Sequence, residues 1–211
     1  SVAVVGVSPP QWGPAGVGAG FLMALQDMKF EGSIYPVNPH HQQILGLKCY
    51  PSLLDVPGPV DHVIFSVPTS AVPQVIEDCV AKGVRSIHFF TSGFSETGDA
   101  EAAELERRIV ARACGASIRL IGPNCMGLYC PSGKIAFMPR SPVEPGPVAF
   151  LSQSGGNAGD FIFAAAPRPD RVGIPVIGVV VGVEEVEVVA RARGHRDLLG
   201  RCVAGLYPSP E

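Results

Sequence analysis

Residues 1–39 read SVAVVGVSPPQWGPAGVGAGFLMALQDMKFEGSIYPVNP, and their reading decides the fold. Val2-Ala3-Val4-Val5 is a short apolar run without charge, the composition of a strand buried on both faces. It breaks at Gly6 into a loop, Val7 to Gly16, and then enters a helical stretch, Val17 to Met28. Ser33 to Val37 follows as the next strand and stops at Asn38-Pro39. A strand, a glycine turn and a helix in succession make an anion site, because unpaired N–H groups at the helix start point at the turn. The unit predicts a nucleotide-like ligand.

Two departures from the dinucleotide fingerprint narrow that ligand. Gly6 is followed by no glycine until Gly13, with Gly16, Gly18 and Gly20 beyond, so the spacing G-x-G-x-x-G is absent. The longer, proline-bearing loop suits a phosphate chain without copying the usual NAD turn. Proteins that bind NAD also place an Asp or Glu about 20 residues on, against a ribose hydroxyl. This chain has Asn38, Pro39, His40 and His41 there. A carboxylate would repel a ribose phosphate, whereas Asn and His tolerate or attract one. Coenzyme A and NADP both carry such a phosphate.

Strands alternate with helices beyond this unit. Ile44 to Tyr50 reads as a turn and short strand, Pro51 to Leu54 as one helical turn, and Val60 to Val67 as a buried strand closed by Pro68. Ala71 to Ala81 carries Val72, Val75, Ile76, Cys79 and Val80 at helical spacing and ends at Gly83, a C-cap position. Val84 to Phe90 is a strand, Thr91 to Glu96 a polar loop, Asp99 to Ala113 a charged helix, and Ser117 to Ile121 a strand stopped by Gly122-Pro123. This order predicts an α/β fold, a Rossmann-like doubly wound parallel sheet with its ligand crevice along the strands' carboxyl ends. Residues 1–127 form that first domain. Residues 128–147, rich in Pro and Gly, read as a linker. A second, incomplete α/β domain occupies 148–211: strand Val148 to Leu151, the glycine turn Ser152 to Gly156, helix Asn157 to Ala165, strand Ile174 to Val183 and helix Glu184 to Arg193.

Composition removes several classes of partner. Lys+Arg 16 against Asp+Glu 19, a formal charge of −3, leaves no basic field for nucleic acid. No apolar run is long enough to suggest a membrane span. The six cysteines, Cys49, Cys79, Cys114, Cys125, Cys130 and Cys202, are scattered without a C-x-x-C pair, which predicts reduced thiols in a cytoplasmic protein and no metal site. Cys125 and Cys130 read as small buried hydrophobes, and His62 and His88, inside strand patterns, as satisfied core histidines.

Five stretches stand in order: SVAVVGVS at 1–8, YPVNP at 35–39, TSGFSETG at 91–98, IGPNCMGLYCP at 121–131 and VAFLSQSGG at 148–156. Together they resemble the CoA-binding and CoA-ligase domains of the nucleoside-diphosphate-forming acyl-CoA synthetases. That superfamily includes the succinyl-CoA synthetase α-subunit and ADP-forming acetyl-CoA synthetase. The resemblance implies a second domain of flavodoxin-like form and an acid–CoA ligase working through phosphohistidine and acyl phosphate intermediates. It implies coenzyme A as the cofactor, with ATP and Mg entering only through a partner ATP-grasp domain or β-subunit, a small carboxylic acid as substrate, and an oligomer.

The resemblance also assigns residues. Gly6, Val7, Ser8 and Gly13 would line the CoA phosphates, Asn38 and Pro39 would meet the adenosine end, and Ser66, Val67 and Pro68 would face the cofactor. Ser92, Gly93 and Glu96 would border the same crevice, with Asn124 near the thiol and acyl group. Ser152, Ser154, Gly155 and Gly156 would form a helix-start phosphate site, which the physics of a helix N-terminus supports. His195 is the candidate for the phosphorylated histidine, with Glu184 or Glu185 to steady it. Its neighbours, Arg193-Gly194-His195-Arg196-Asp197, depart from the small-residue context of the family. The chain alone is therefore expected not to run the full reaction. A non-catalytic CoA-binding sensor is the alternative reading, and an NADP-dependent oxidoreductase an outsider, with no catalytic Tyr-Lys set to support it.

Overall fold

Every residue of β1 (Val2–Val5) is buried, as a strand covered on both faces requires. In the computed structural model, which describes residues 1–10, 17–146, 148–152, 154–166 and 176–181, β1 lies inside a five-stranded parallel sheet. β2 (Ile34–Val37) pairs on one side of it and β5 (His62–Phe65) on the other, followed outward by β6 (Ser86–Phe89) and β7 (Arg119–Ile121). The order β2-β1-β5-β6-β7 reverses at β1, because the chain leaves it for one neighbour and returns to the other. The expected doubly wound sheet is present. A short hairpin, β3 (Gln43–Ile44) with β4 (Leu47–Lys48), stands outside it.

Alternation along β1 divides the core between two layers. Val2 and Val4 pack with Phe21, Leu22 and Leu25 of α1 (Val17–Asp27) and with Met28 just beyond its end. Ala3 and Val5 pack with Val72, Ile76 and Cys79 of α2 (Val72–Lys82) and with Ile109 and Ala113 of α3 (Ala100–Gly115). The helix ends follow local chemistry. Gly83 closes α2 in the left-handed conformation at φ 72°, and the Asp99 carboxylate caps α3 by accepting from Ala102 N at 2.8 Å. Arg112 joins α3 to α2 through two bonds of 2.7 Å to Glu77.

Three local expectations are refined. Pro51–Leu53 form bends that pass into a turn at Leu54–Asp55, where Val56 N donates to Leu53 O at 3.3 Å, and Leu53 is buried. The strand expected from Ser117 begins at Arg119, because Ser117 sits at φ 59°, outside extended geometry. The largest correction concerns 128–147, which is not an open linker. β8 (Gly127–Tyr129) is the first strand of a second sheet, antiparallel to β10 (Val176–Val181), which runs parallel to β9 (Val148–Ser152). Leu128, Tyr129, Ala136 and Phe137 are buried in the same cluster as α1 and as Ala158 and Ile162 of α4 (Gly155–Ala165). Two apolar runs too short to show a period, Leu128-Tyr129-Cys130 and Ile135-Ala136-Phe137, hold this segment down.

Candidate functional site

Register places the site. Val5 stands opposite both Val37 and Phe65, so Gly6, Asn38 and Ser66 leave three adjacent strands at one level of the carboxyl edge. That edge, where the strand order reverses, is where open α/β sheets hold ligands. Gly6 has φ +81°, and a Cβ there would stand 2.5 Å from Ser66 O and 2.6 Å from Val67 Cγ1. Only glycine lets the β1 and β5 loops approach this closely. Gly18, in the first turn of α1, lies against Val7 in the same way: its Cβ would be 3.0 Å from Val7 Cα. The two glycines thus let the β1 loop pack closely against the β5 loop and the start of α1.

The rim of the crevice is tied loop to loop. Asn38 is buried; its Nδ2 donates to Val7 O at 2.7 Å and its Oδ1 accepts from His40 N at 2.9 Å. Thr91, at the end of β6, donates through Oγ1 to Val67 O at 2.8 Å and accepts from Val67 N at 3.2 Å. Thr69 Oγ1 donates to Ser92 O at 3.1 Å, and Asn124 N donates to Thr91 O at 3.0 Å. The loops after β2, β1, β5, β6 and β7 are thus joined in spatial order. Thr91 was missed by sequence reasoning; a hydroxyl at the carboxyl end of a buried strand was the available signal.

The expected cofactor contacts separate under this geometry. Val7 is fully buried with α1, and its carbonyl accepts from Asn38 Nδ2. Both ends of the Asn38 amide thus bond protein backbone. Ser8, Ser66 and Val67 are half-buried on the rim, and Pro39, Pro68 and Ser92 are exposed. Glu96 turns inward to its own loop, accepting from Gly93 N at 2.6 Å and Phe94 N at 3.0 Å, and Glu106 accepts from Ser95 N at 2.9 Å. Asn124 is exposed at φ 50°. Gly13, Gln153, Glu184, Glu185 and His195 lie outside the described residues.

A second glycine turn stands at the start of α4. Ser152 Oγ accepts from Ser154 N and donates to Ser154 O, both at 3.0 Å, while Ser154 Oγ caps the helix by accepting from Asn157 N at 3.3 Å. Gly155 packs against the Met126 side chain, whereas a Cβ on Gly156 would meet nothing nearer than Ser154 Oγ at 4.0 Å. The 122–127 stretch therefore touches both places: Asn124 on the crevice rim and Met126 on the start of α4.

Both buried histidines are structural partners. His62 Nδ1 lies 2.9 Å from Ser86 Oγ and His88 Nε2 lies 2.7 Å from Cys125 O. Burial, with a smaller contribution from His88, pushes the pKa of His62 down to about 3, and burial pushes that of His88 down to about 4. Cys125 and Cys130 are buried, and the five described cysteines form no disulfide. Among the described residues no group of His, Cys, Asp or Glu is placed to hold a metal, and no helix is long and apolar enough to cross a membrane.

The family model described as the CoA binding domain matches residues 1–131. The chain belongs to the CoA-binding domain family. Curated relatives agree with the resemblance read from the five motifs. An ADP-forming acetate–CoA ligase II of Archaeoglobus fulgidus is 38% identical over 194 residues, 90% of this chain and 28% of that protein. The α-subunit of ADP-forming acetate–CoA ligase I of Pyrococcus furiosus is 38% identical over 160 residues, 74% of this chain and 34% of its own length. Among solved structures, the acetyl-coenzyme A synthetase 1 of Ca. Korarchaeum cryptofilum, in complex with phosphate and ADP, superposes with a TM-score of 0.72 at 35% identity. It is covered over 37% of its chain by 86% of this one. The chain thus spans about a third or less of the curated relatives' length.

Proposed function

We propose that this chain binds coenzyme A in the crevice at the carboxyl ends of β1 and β5, as the CoA-binding part of an ADP- or GDP-forming acid–CoA ligase. The observation that carries the reading is the close approach of the β1 and β5 loops at Gly6, which a Cβ there would break against Ser66 O and Val67 Cγ1, at the reversal point of a CoA-binding family sheet. Residues 6–8, 66–68, 92–93 and Asn124 are the candidate lining. Asn38 and Glu96 act by holding the loops that carry these residues. In the same reading, residues 1–127 are the CoA-binding unit and 148–211 the start of a ligase unit, joined by a packed segment at 128–147.

The chemistry assigned to this chain is holding. When bound, the cofactor supplies a thiol nucleophile for an activated acyl group. The rim orients it, and Ser152, Ser154, Gly155 and Gly156 offer hydroxyls and a helix N-terminus suited to a phosphoryl group. Phosphoryl supply belongs to an ATP-grasp partner, and acyl-CoA formation needs that partner and a phosphorylated histidine, for which His195 is the candidate. Calorimetry tests the ligand. CoA is expected to bind in the micromolar range and more tightly than dephospho-CoA, NAD or NADP, and equal or tighter binding of NAD would overturn the reading.

A further inference from the structure

The buried ring of His88 takes no part in the proposed reading, yet its surroundings are built around one hydrogen bond. Its partner, Cys125 O, can only accept, so Nε2 carries the proton. Phe21 meets the ring edge-on at 5.2 Å between centroids, and a Cβ on Gly127 would stand 2.8 Å from His88 Cε1. Cys125 is also held from its other side, its N–H donating to Phe89 O at 3.2 Å. Both grips on this residue come from β6. Its two neighbours in sequence face different sites. Asn124 reaches the crevice rim through Thr91 O, and Met126 covers Gly155 at the start of α4.

We propose that His88 is a positioning residue that fixes the 122–127 loop between the crevice and the second glycine turn, so that CoA in the crevice is felt at Gly155 and Gly156. The physical route is short and continuous. CoA against Asn124 loads a loop pinned at Cys125 by two bonds, so the loop turns about that point and carries the displacement to Met126 and the helix start it touches. The neutral ring suits this work, because burial keeps it uncharged and the Cys125 carbonyl keeps its proton on Nε2. The inference rests on the CoA reading and concerns what binding does beyond the crevice.

Amide NMR of the 211-residue chain titrated with CoA tests it. In the unsubstituted protein the Gly155 and Gly156 resonances move as the crevice fills. His88→Gln, whose Nε2 lies as many bonds from the backbone as the ring nitrogen, keeps that movement. His88→Leu keeps CoA affinity within about three-fold but loses more than about half of the movement at Gly155 and Gly156. Met126→Ala leaves the His88 bond intact and gives the same loss, which covers the case in which His88→Leu does not fold. Full movement in both His88→Leu and Met126→Ala, or CoA binding with no movement at all, overturns the coupling alone. No heat on CoA titration overturns the CoA reading and the coupling with it.

Discussion

At the scale of single residues, Asn38 is a tie between two loops. It follows the second strand where a ribose contact is expected, but its amide spans to the β1 loop and to His40 N. A carboxylate has no donor to offer Val7 O. Asn38→Asp therefore leaves that buried carbonyl unpaired, with negative charge facing it, and is expected to cost about 1–3 kcal/mol of folding stability. Urea denaturation with and without CoA separates stability from affinity. Stability equal to the unsubstituted protein, with weakened CoA binding, would restore Asn38 to the ligand surface. Gly6 is the opposite case, because its role follows from what it lacks.

At the scale of elements, the loop between β6 and α3 is held by carboxylates. Three consecutive N–H groups, of Gly93, Phe94 and Ser95, donate to Glu96 and Glu106. An ionised carboxylate accepts two such bonds at once, whereas an amide has one acceptor and presents donors on its other side. Glu96→Gln is expected to speed hydrogen exchange at Gly93 and Phe94 by about three- to ten-fold, leaving α3 unchanged. Exchange at the unsubstituted rate would mean that the loop is held elsewhere. Asp99 joins this loop to the helix: its carboxylate caps α3 at Ala102 N, and its own N–H donates to Thr97 Oγ1 at 3.2 Å.

At the scale of the whole molecule, acid should act through the two buried histidines. In the unfolded chain an imidazole takes its proton near pH 6.5, while burial delays this to about 3 at His62 and about 4 at His88. Below pH 6.5 the unfolded state thus binds protons that the folded state refuses, so stability falls as pH falls, down to about pH 4. The limiting slope is about 1.4 kcal/mol per pH unit for each histidine. Between pH 7 and pH 5 a loss of about 2–4 kcal/mol is expected in urea denaturation. His88→Gln should reduce that loss by nearly half. A flat profile across this range would mean that both rings gain protons without unfolding.

The alternation of strand and helix, the glycine break after β1 and the glycine stop at Gly83 were all legible in the sequence. Each is local: the residues that cause the feature lie within a turn or two of where it appears. The five motifs also identified the family: four of them end at the carboxyl edge of one sheet and the fifth leads into α4. How those residues are bonded was decided only by the tertiary structure. Asn38 reaches Val7 across 31 residues, Thr91 reaches Val67 across 24, and His88 reaches Cys125 across 37. Such bonds depend on strand order and register, which no local pattern carries. For the same reason 128–147 read as a linker: its two short apolar runs become core only when α1 and α4 are there to cover them.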